Sequence, residues 1–268
     1  LVADEVTRAS ADQPPVVVTG AGSGIGEAVA LTMARRGAAV AALDLDPVAA
    51  EATVATAIEQ SAAGTMLAIG CDVRSEAETQ TAFDRVLAEL GPPRQLFAGA
   101  AIDEGGLVHE LGVEQWQRSI DTNLTGVFLS CRAMVRQLLH RNLTGSIVCA
   151  SSPAAVVALP AAAAYSAGKG GIAALVRCLA IDYASAGIRV NAVMPGPTDT
   201  PLMWANVPPG ARAQRARQIA AEVPLGRIAQ AQEIAQAVAW LLSDEATFVT
   251  GSALYCDGGV AAKASVSF

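Results

Sequence analysis

The stretch VVVTGAGSGIGEAVALTMARRG, residues 16–37, decides how the rest of the chain is read. Four β-branched residues lead into Gly20, Gly22, Gly24 and Gly26, and an Ala-rich periodic segment follows. A strand that enters a helix through residues able to take φ > 0 presents bare backbone N–H groups to an anion. The same spelling also serves as an ordinary tight connection, so the remaining sequence must say whether this turn holds a ligand.

Working outward, the pattern repeats. After a strand at about 16–19 and a helix at about 24–36, AAVAALD (38–44) reads as a buried strand and 47–62 as a helix opened by Pro47. TMLAIGCDV (65–73) and the helix at 75–91 form the next unit, with Ser75 as N-cap, Glu78 at the capping-box position and Gly91 as the stop. QLFAGAA (95–101) is a fourth strand. A helical region from about 113 to 140, read as two helices in succession, leads to the strand GSIVCAS (145–151). A long helix at about 163–186, the strand IRVNAV (188–193), a helix at 231–242 and the strand SALYC (252–256) complete the order. Strands apolar on both faces and alternating with helices imply an α/β fold. The expected form is a Rossmann-type doubly wound parallel sheet of about seven strands with helices on both faces, its ligands beyond the strand C-termini. Residues 1–14 read as a disordered lead-in to a single domain, 15–268, with no secretion signal.

Composition narrows the function. The 268 residues are 52% hydrophobic, enough for a large core, and the net charge of −7 leaves no electrostatic footprint for nucleic acid or an anionic membrane. Small molecules are the expected partners. Cys71, Cys131, Cys149, Cys178 and Cys256 are scattered and never paired as CxxC, so neither a disulfide framework nor a zinc site is expected and a reducing, cytoplasmic setting is. With only His109 and His140, and neither HExxH nor GxSxG, zinc hydrolysis and a Ser-His-Asp triad lack raw material. No apolar run is long enough for a membrane span.

In the glycine turn, Gly20 permits the bend, Gly24 lets a pyrophosphate approach and Gly26 lets helix and strand pack closely. Its GxxxGxG spacing, in Thr19-Gly20-Ala21-Gly22-Ser23-Gly24-Ile25-Gly26, resembles that of the classical short-chain dehydrogenase/reductase family, and the resemblance covers about residues 15–260. Asp44 ends the second strand, where a carboxylate accepts both hydroxyls of an adenosine ribose and repels the 2′-phosphate of NADP. With no Arg or Lys in the turn or directly after Asp44, the expected cofactor is NAD.

Tyr165-Ser-Ala-Gly-Lys169 carries the strongest chemical signal. Residues four apart on a helix share a face, so the phenol and the ammonium can meet one ligand region. Free tyrosine ionises near pH 10; a drop of about 3 units, roughly 4 kcal/mol, makes it a usable base, and a neighbouring Lys⁺ and an oxidised nicotinamide both act in that direction. Ser152, after the fifth strand, can hydrogen-bond the substrate oxygen, and the family spacing selects it over Ser151.

The resemblance implies further roles. Asn123 would position a water that links the lysine to solvent, and Asp72 would meet the adenine amino group with Val73 beside it. In NAVMPGPTDTP (191–201), Pro195 and Gly196 would pass the nicotinamide, backbone near Thr198 would meet its carboxamide and Thr200 would contact the cofactor. Ser23 and Ile25 join the glycines as cofactor contacts, and a homotetramer is the family's usual assembly. One departure is plain: Ala98-Gly99-Ala100-Ala101 stands where the family usually has NNAG. Segment 201–224 is the expected substrate lid, with Leu202, Met203 and Trp204 available to line an alicyclic alcohol site and Arg212, Arg215 and Arg217 on its helix. The implied activity is hydride transfer between a secondary alcohol or its ketone and NAD. The alternatives are a 3-oxoacyl-thioester reductase and a dinucleotide-binding protein without turnover.

Overall fold

The computed structural model describes residues 13–263, so positions 1–12 of the expected lead-in lie outside the described residues. Seven parallel strands form one sheet: β1 (Val16–Thr19), β2 (Val40–Asp44), β3 (Met66–Gly70), β4 (Gln95–Ala98), β5 (Gly145–Ala150), β6 (Ile188–Pro195) and, last in the chain, β9 (Ala253–Cys256). Their order, β3-β2-β1-β4-β5-β6-β9, reverses direction between β1 and β4. The register there pairs Thr19 with Ala98, which opens the crevice for a ligand beyond these two strand ends. A separate two-stranded pair joins β7 (Thr198–Asp199) to β8 (Ala229–Gln230).

The helices are α1 (Gly24–Arg35), α2 (Pro47–Glu59), α3 (Glu76–Leu90), α4 (Val113–Ile120), α5 (Gly126–His140), α6 (Ala163–Tyr183), α7 (Pro201–Trp204), α8 (Arg212–Glu222) and α9 (Ala231–Leu242). Strand alternation sorts the core into two halves. Val17, Leu96, Ala98, Ile147 and Cys149 point to the side covered by α3, α5 and α6. Val16, Val18, Phe97, Val148 and Ala150 point to the side covered by α1 and α9. Burying each large apolar side chain contributes about 1.5–3 kcal/mol, so both helical layers are held by the same strands.

Several boundaries differ from the sequence reading. The fourth strand stops at Ala98, because the N–H groups of Gly99 and Ala100 turn to the Thr19 hydroxyl on β1, at 3.0 and 3.3 Å. The third ends at Gly70, leaving Asp72 and Val73 in a turn. At the start of α3, the Ser75 hydroxyl accepts the Glu78 N–H, but the Glu78 carboxylate accepts the N–H of Asp72 instead of closing a box on Ser75. The two helices expected within 113–140 are α4 and α5, joined without a break by a π-helical segment, Asp121–Thr125.

The glycine turn folds back upon itself. Gly20 has φ +70° and sits so close to the next turn that a Cβ there would lie 2.8 Å from the Ala100 Cα. A Cβ on Gly26 would collide with the Gly20 carbonyl, which is backbone and has no room to yield. Gly26→Ala is therefore expected to destabilise the protein by about 1–3 kcal/mol through overpacking, read as a lower urea midpoint at unchanged slope. A midpoint equal to wild type would contradict this packing.

Candidate active site

Helix α6 brings the reactive side chains to the carboxyl edge of the sheet. Its buried residues Ala164, Gly168, Ile172, Val176 and Ala180 recur every fourth position and turn one stripe inward, with Lys169 beside them. Small residues let this stripe approach closely: a Cβ on Gly168 would lie 3.1 Å from the Asn123 Cβ. Two polar bonds fix the helix along its axis relative to β5. The Ser151 hydroxyl donates to the Lys169 carbonyl at 2.9 Å, and the Lys169 ammonium donates to the Ala150 carbonyl at 2.7 Å. Ser151 is thus spent on holding α6, whereas Ser152 follows it at the mouth of the site and accepts the Ala154 N–H at 3.2 Å.

Tyr165 and Lys169 stand one turn apart, the ammonium 5.5 Å from the centre of the phenol ring. Burial governs the titration of both groups. Burial pushes the Tyr165 phenol up to about 12, a hydrogen bond with Ser152 works against that rise, and the charge of Asp103 adds to it. Burial also pulls Lys169 down to about 8. The protein groups alone therefore hold the phenol protonated and store the ammonium at a cost. Activation of the phenol as a base requires further positive charge in the crevice, the kind that a cationic nicotinamide brings.

Asn123 is fully buried in the π-helical segment. Its amide donates to the Ile102 carbonyl at 2.9 Å and to the Ser119 hydroxyl at 3.1 Å, while its carbonyl accepts the Ile102 N–H at 3.0 Å. The side chain is thus occupied in pinning the loop that leaves β4. The π-helical turn, a feature that often marks functional positions, gave no periodic signal in the sequence. Asp103, next in that loop, was not singled out from sequence either, because 99–112 has no repeating apolar pattern.

On the opposite side of the crevice, Ser23 precedes α1 as its N-cap but makes no side-chain capping bond, so the first N–H groups of the helix keep their capacity for an anion. The Asp44 carboxylate accepts the Gly22 N–H at 2.8 Å and the Asp46 N–H at 3.0 Å, which holds it at the rim of the glycine turn. This donor set, with an acidic acceptor at the end of β2, fits a dinucleotide. The loop after β6 closes on the same turn. Gly196 lies against the Asp257 backbone, the buried Thr198 hydroxyl donates to the Gly196 carbonyl at 2.9 Å, and the Thr200 side chain lies within 3.2 Å of where a Cβ on Gly24 would stand. The Asp257 carboxylate accepts the N–H groups of Gly259 and Ala261 and so shapes its own turn beside Gly196.

Asp72 is engaged within the protein. The Arg74 guanidinium bonds both its carboxylate oxygens, at 2.6–3.1 Å, and keeps the Asp72 carboxyl below its ordinary range. Val73 packs beneath it, close enough that a Cβ on Gly126 would lie 2.7 Å from the Val73 Cγ2. Leu202, Met203 and Trp204 lie on α7, half-buried, with the indole N–H donating to Asp199 at 2.6 Å. Arg212, Arg215 and Arg217 are on α8, whose residues include none that is buried.

Residues 20–261 match a family model described as "Enoyl-(Acyl carrier protein) reductase". The chain is 43% identical over 247 residues to the cis-4-hydroxycyclohexanecarboxylate dehydrogenase of Sinomonas cyclohexanicum, covering 92% of this chain and 96% of that one. Among solved structures it is similar to levodione reductase, with a TM-score of 0.90 and 28% identity over 94% of this chain and 98% of the other. It is also similar to a variant of actinorhodin polyketide ketoreductase with NADPH, with a TM-score of 0.87 and 32% identity over 95% and 99% of the two chains. The family model, the relatives and the topology agree, and the chain belongs to the short-chain dehydrogenase/reductase family as an oxidoreductase of the alcohol dehydrogenase or carbonyl reductase kind.

Proposed function

We propose that the protein uses NAD to interconvert small, alicyclic secondary alcohols and their ketones, with Tyr165, Ser152 and Lys169 as its reacting groups. The meeting of Tyr165 with Ser152 through a hydrogen bond and with Lys169 one turn along α6, at the sheet edge that also carries the Asp44-rimmed glycine turn, is the observation that carries the reading. The nearness of the chain to a hydroxycyclohexanecarboxylate dehydrogenase supports a ring alcohol as substrate.

When bound, the nicotinamide supplies the hydride acceptor at C4. The chain's own residues handle the proton and the geometry. Tyr165 takes the alcohol proton as general base, Ser152 holds the reacting oxygen, and Lys169 holds the nicotinamide ribose and favours the phenolate. Asn123 supports proton exchange by fixing the segment between the loop after β4 and α6. Gly20, Ser23, Gly24, Ile25 and Gly26 would receive the pyrophosphate, Asp44 the adenosine ribose, and Asp72 with Val73 the adenine. Pro195, Gly196, Thr198 and Thr200 would line the nicotinamide. Segment 201–224 would cover the substrate.

Asp44 gives the NAD preference its physical basis, since a carboxylate already aimed at the turn accepts ribose hydroxyls and repels a 2′-phosphate. Losing hydrogen bonds to a charged acceptor costs about 1.5–3 kcal/mol, so Asp44→Ala is expected to lower the ratio of kcat/KM for NAD over NADP by at least about tenfold. Steady-state assays with both cofactors and one ring alcohol check this. A wild-type preference for NADP, or a ratio unmoved by the substitution, would overturn the NAD reading and favour the ketoreductase alternative. Free, unpaired thiols at Cys71, Cys131, Cys149, Cys178 and Cys256 support a reducing, cytoplasmic setting. Among the described residues, no helix is long and apolar enough to cross a membrane. The fully exposed Phe248, in the turn before β9, and the 42% exposed Tyr255 on that edge strand support a homo-oligomer, with a tetramer as the family expectation.

A further inference from the structure

Three consecutive residues at the end of β5 each grip α6. The Ala150 carbonyl accepts the Lys169 ammonium at 2.7 Å, the Ser151 hydroxyl donates to the Lys169 carbonyl at 2.9 Å, and the Ser152 hydroxyl shares a hydrogen bond with the Tyr165 phenol. These contacts differ in stiffness. The ammonium ends a flexible four-carbon stem, so its bond leaves the helix backbone free to shift. The Ser151 hydroxyl stands on a single carbon and bonds the helix backbone directly, one turn from Tyr165. Its own residue is fixed in turn, 3% exposed, with the N–H donating to the Val193 carbonyl of β6 at 2.9 Å. On its other flank α6 meets the π-helical segment closely: Cβ atoms on Gly168 and Gly171 would lie 3.1 Å from the Asn123 Cβ and 2.7 Å from the Leu124 Cδ2. That packing sets how near the helix lies, and the Ser151 bond sets where along its axis it stops.

We propose that Ser151 is a positioning residue for the reaction, whose bond to the Lys169 carbonyl fixes the axial placement of α6 and thereby the meeting of the Tyr165 phenol with Ser152 and the reacting oxygen. This rests on the dehydrogenase reading above. A misplacement of about 1 Å at a reacting group costs up to about 10²-fold in rate. The long Lys169 stem can follow a small helix shift, whereas the rigid phenol cannot, so loss of the Ser151 hydroxyl acts on the chemical step and spares cofactor binding.

The test measures kcat for cyclohexanol and hydroxycyclohexanecarboxylate with NAD⁺, and the Kd of NADH by fluorescence, on wild type, Ser151→Ala, Ser151→Cys, Tyr165→Phe and the double variant Ser151→Ala/Tyr165→Phe. Ser151→Ala is expected to lower kcat about tenfold or more with the Kd of NADH within about twofold of wild type. Ser151→Cys, of similar size and a weaker donor, is expected to fall between the two. In the Tyr165→Phe background the Ser151→Ala change is expected to move kcat by less than about twofold, because no phenolic hydroxyl remains to be placed. A merely structural role would lower kcat equally in both backgrounds or weaken NADH binding in step with kcat. Either result, or a Ser151→Ala kcat equal to wild type, overturns the inference while leaving the dehydrogenase reading intact. Failure of wild type to oxidise either alcohol, or a Tyr165→Phe variant as active as wild type, instead overturns the reading on which the inference rests.

Discussion

Replacing Tyr165 with Phe is expected to lower kcat for alcohol oxidation by about 10²–10⁴-fold, the range contributed by a positioned general base. The substitution removes one hydroxyl and keeps the ring, so the packing around the start of α6 is retained. Lys169 stays tied to β5 through the Ala150 carbonyl, and Ser152 keeps the Ala154 N–H while losing its bond with the phenol. Cofactor binding should therefore survive, and a fluorescence titration of the reduced dinucleotide beside the kinetic assay separates binding from chemistry. Full turnover in Tyr165→Phe would remove the tyrosine from the reaction.

Lys169→Met is expected to reduce kcat/KM by about 10²-fold or more, since it deletes a preorganised charge beside the reacting group. It also carries a signature in stability. Burial lowers the folded-state pKa of Lys169 from 10.5 to about 8. Below pH 8 both folded and unfolded chains hold the proton, and the folded state bears the full cost of the buried ammonium. Between pH 8 and 10.5 the unfolded chain holds a proton that the folded chain lacks, so the stability contribution of Lys169 rises with pH across that window. The stability of wild type relative to Lys169→Met should climb from pH 8 toward pH 10, read from urea midpoints. Tyr165, raised from 10 to about 12, acts with the opposite sign and only above pH 10. A difference that stays flat with pH would mean that the lysine is not held charged against its burial.

Much of the fold was legible because the signals were local and periodic. The run Val16–Thr19, the Ala-rich α1 and the every-fourth-residue stripe on α6 state their own geometry. Boundaries failed where a side chain elsewhere in the sequence captures backbone groups. Thr19 ends β4 by taking the N–H groups of Gly99 and Ala100, and nothing within QLFAGAA announces it. This bond also shows how the turn is held where Ala98 offers no side-chain amide. The positions of Ser152, Tyr165 and Lys169 could be read because helix spacing and strand ends fix them. The role of Ser151 could not, since it depends on a contact between β5 and α6 across the fold. The pull of burial on the Tyr165 phenol escapes the sequence for a related reason: the cost of burial is a property of packing, and only the neighbouring lysine is visible there.

Hydride transfer by these residues between a ring alcohol and NAD leaves an isotopic record. Its most direct measurement uses cyclohexanol deuterated at the carbinol carbon with NAD⁺, on wild type and Tyr165→Phe. Reduced cofactor carrying the deuterium at C4 is expected with wild type, and about 10²–10⁴-fold less of it with the variant. Reduced cofactor without the label, or equal rates from the two proteins, would contradict it.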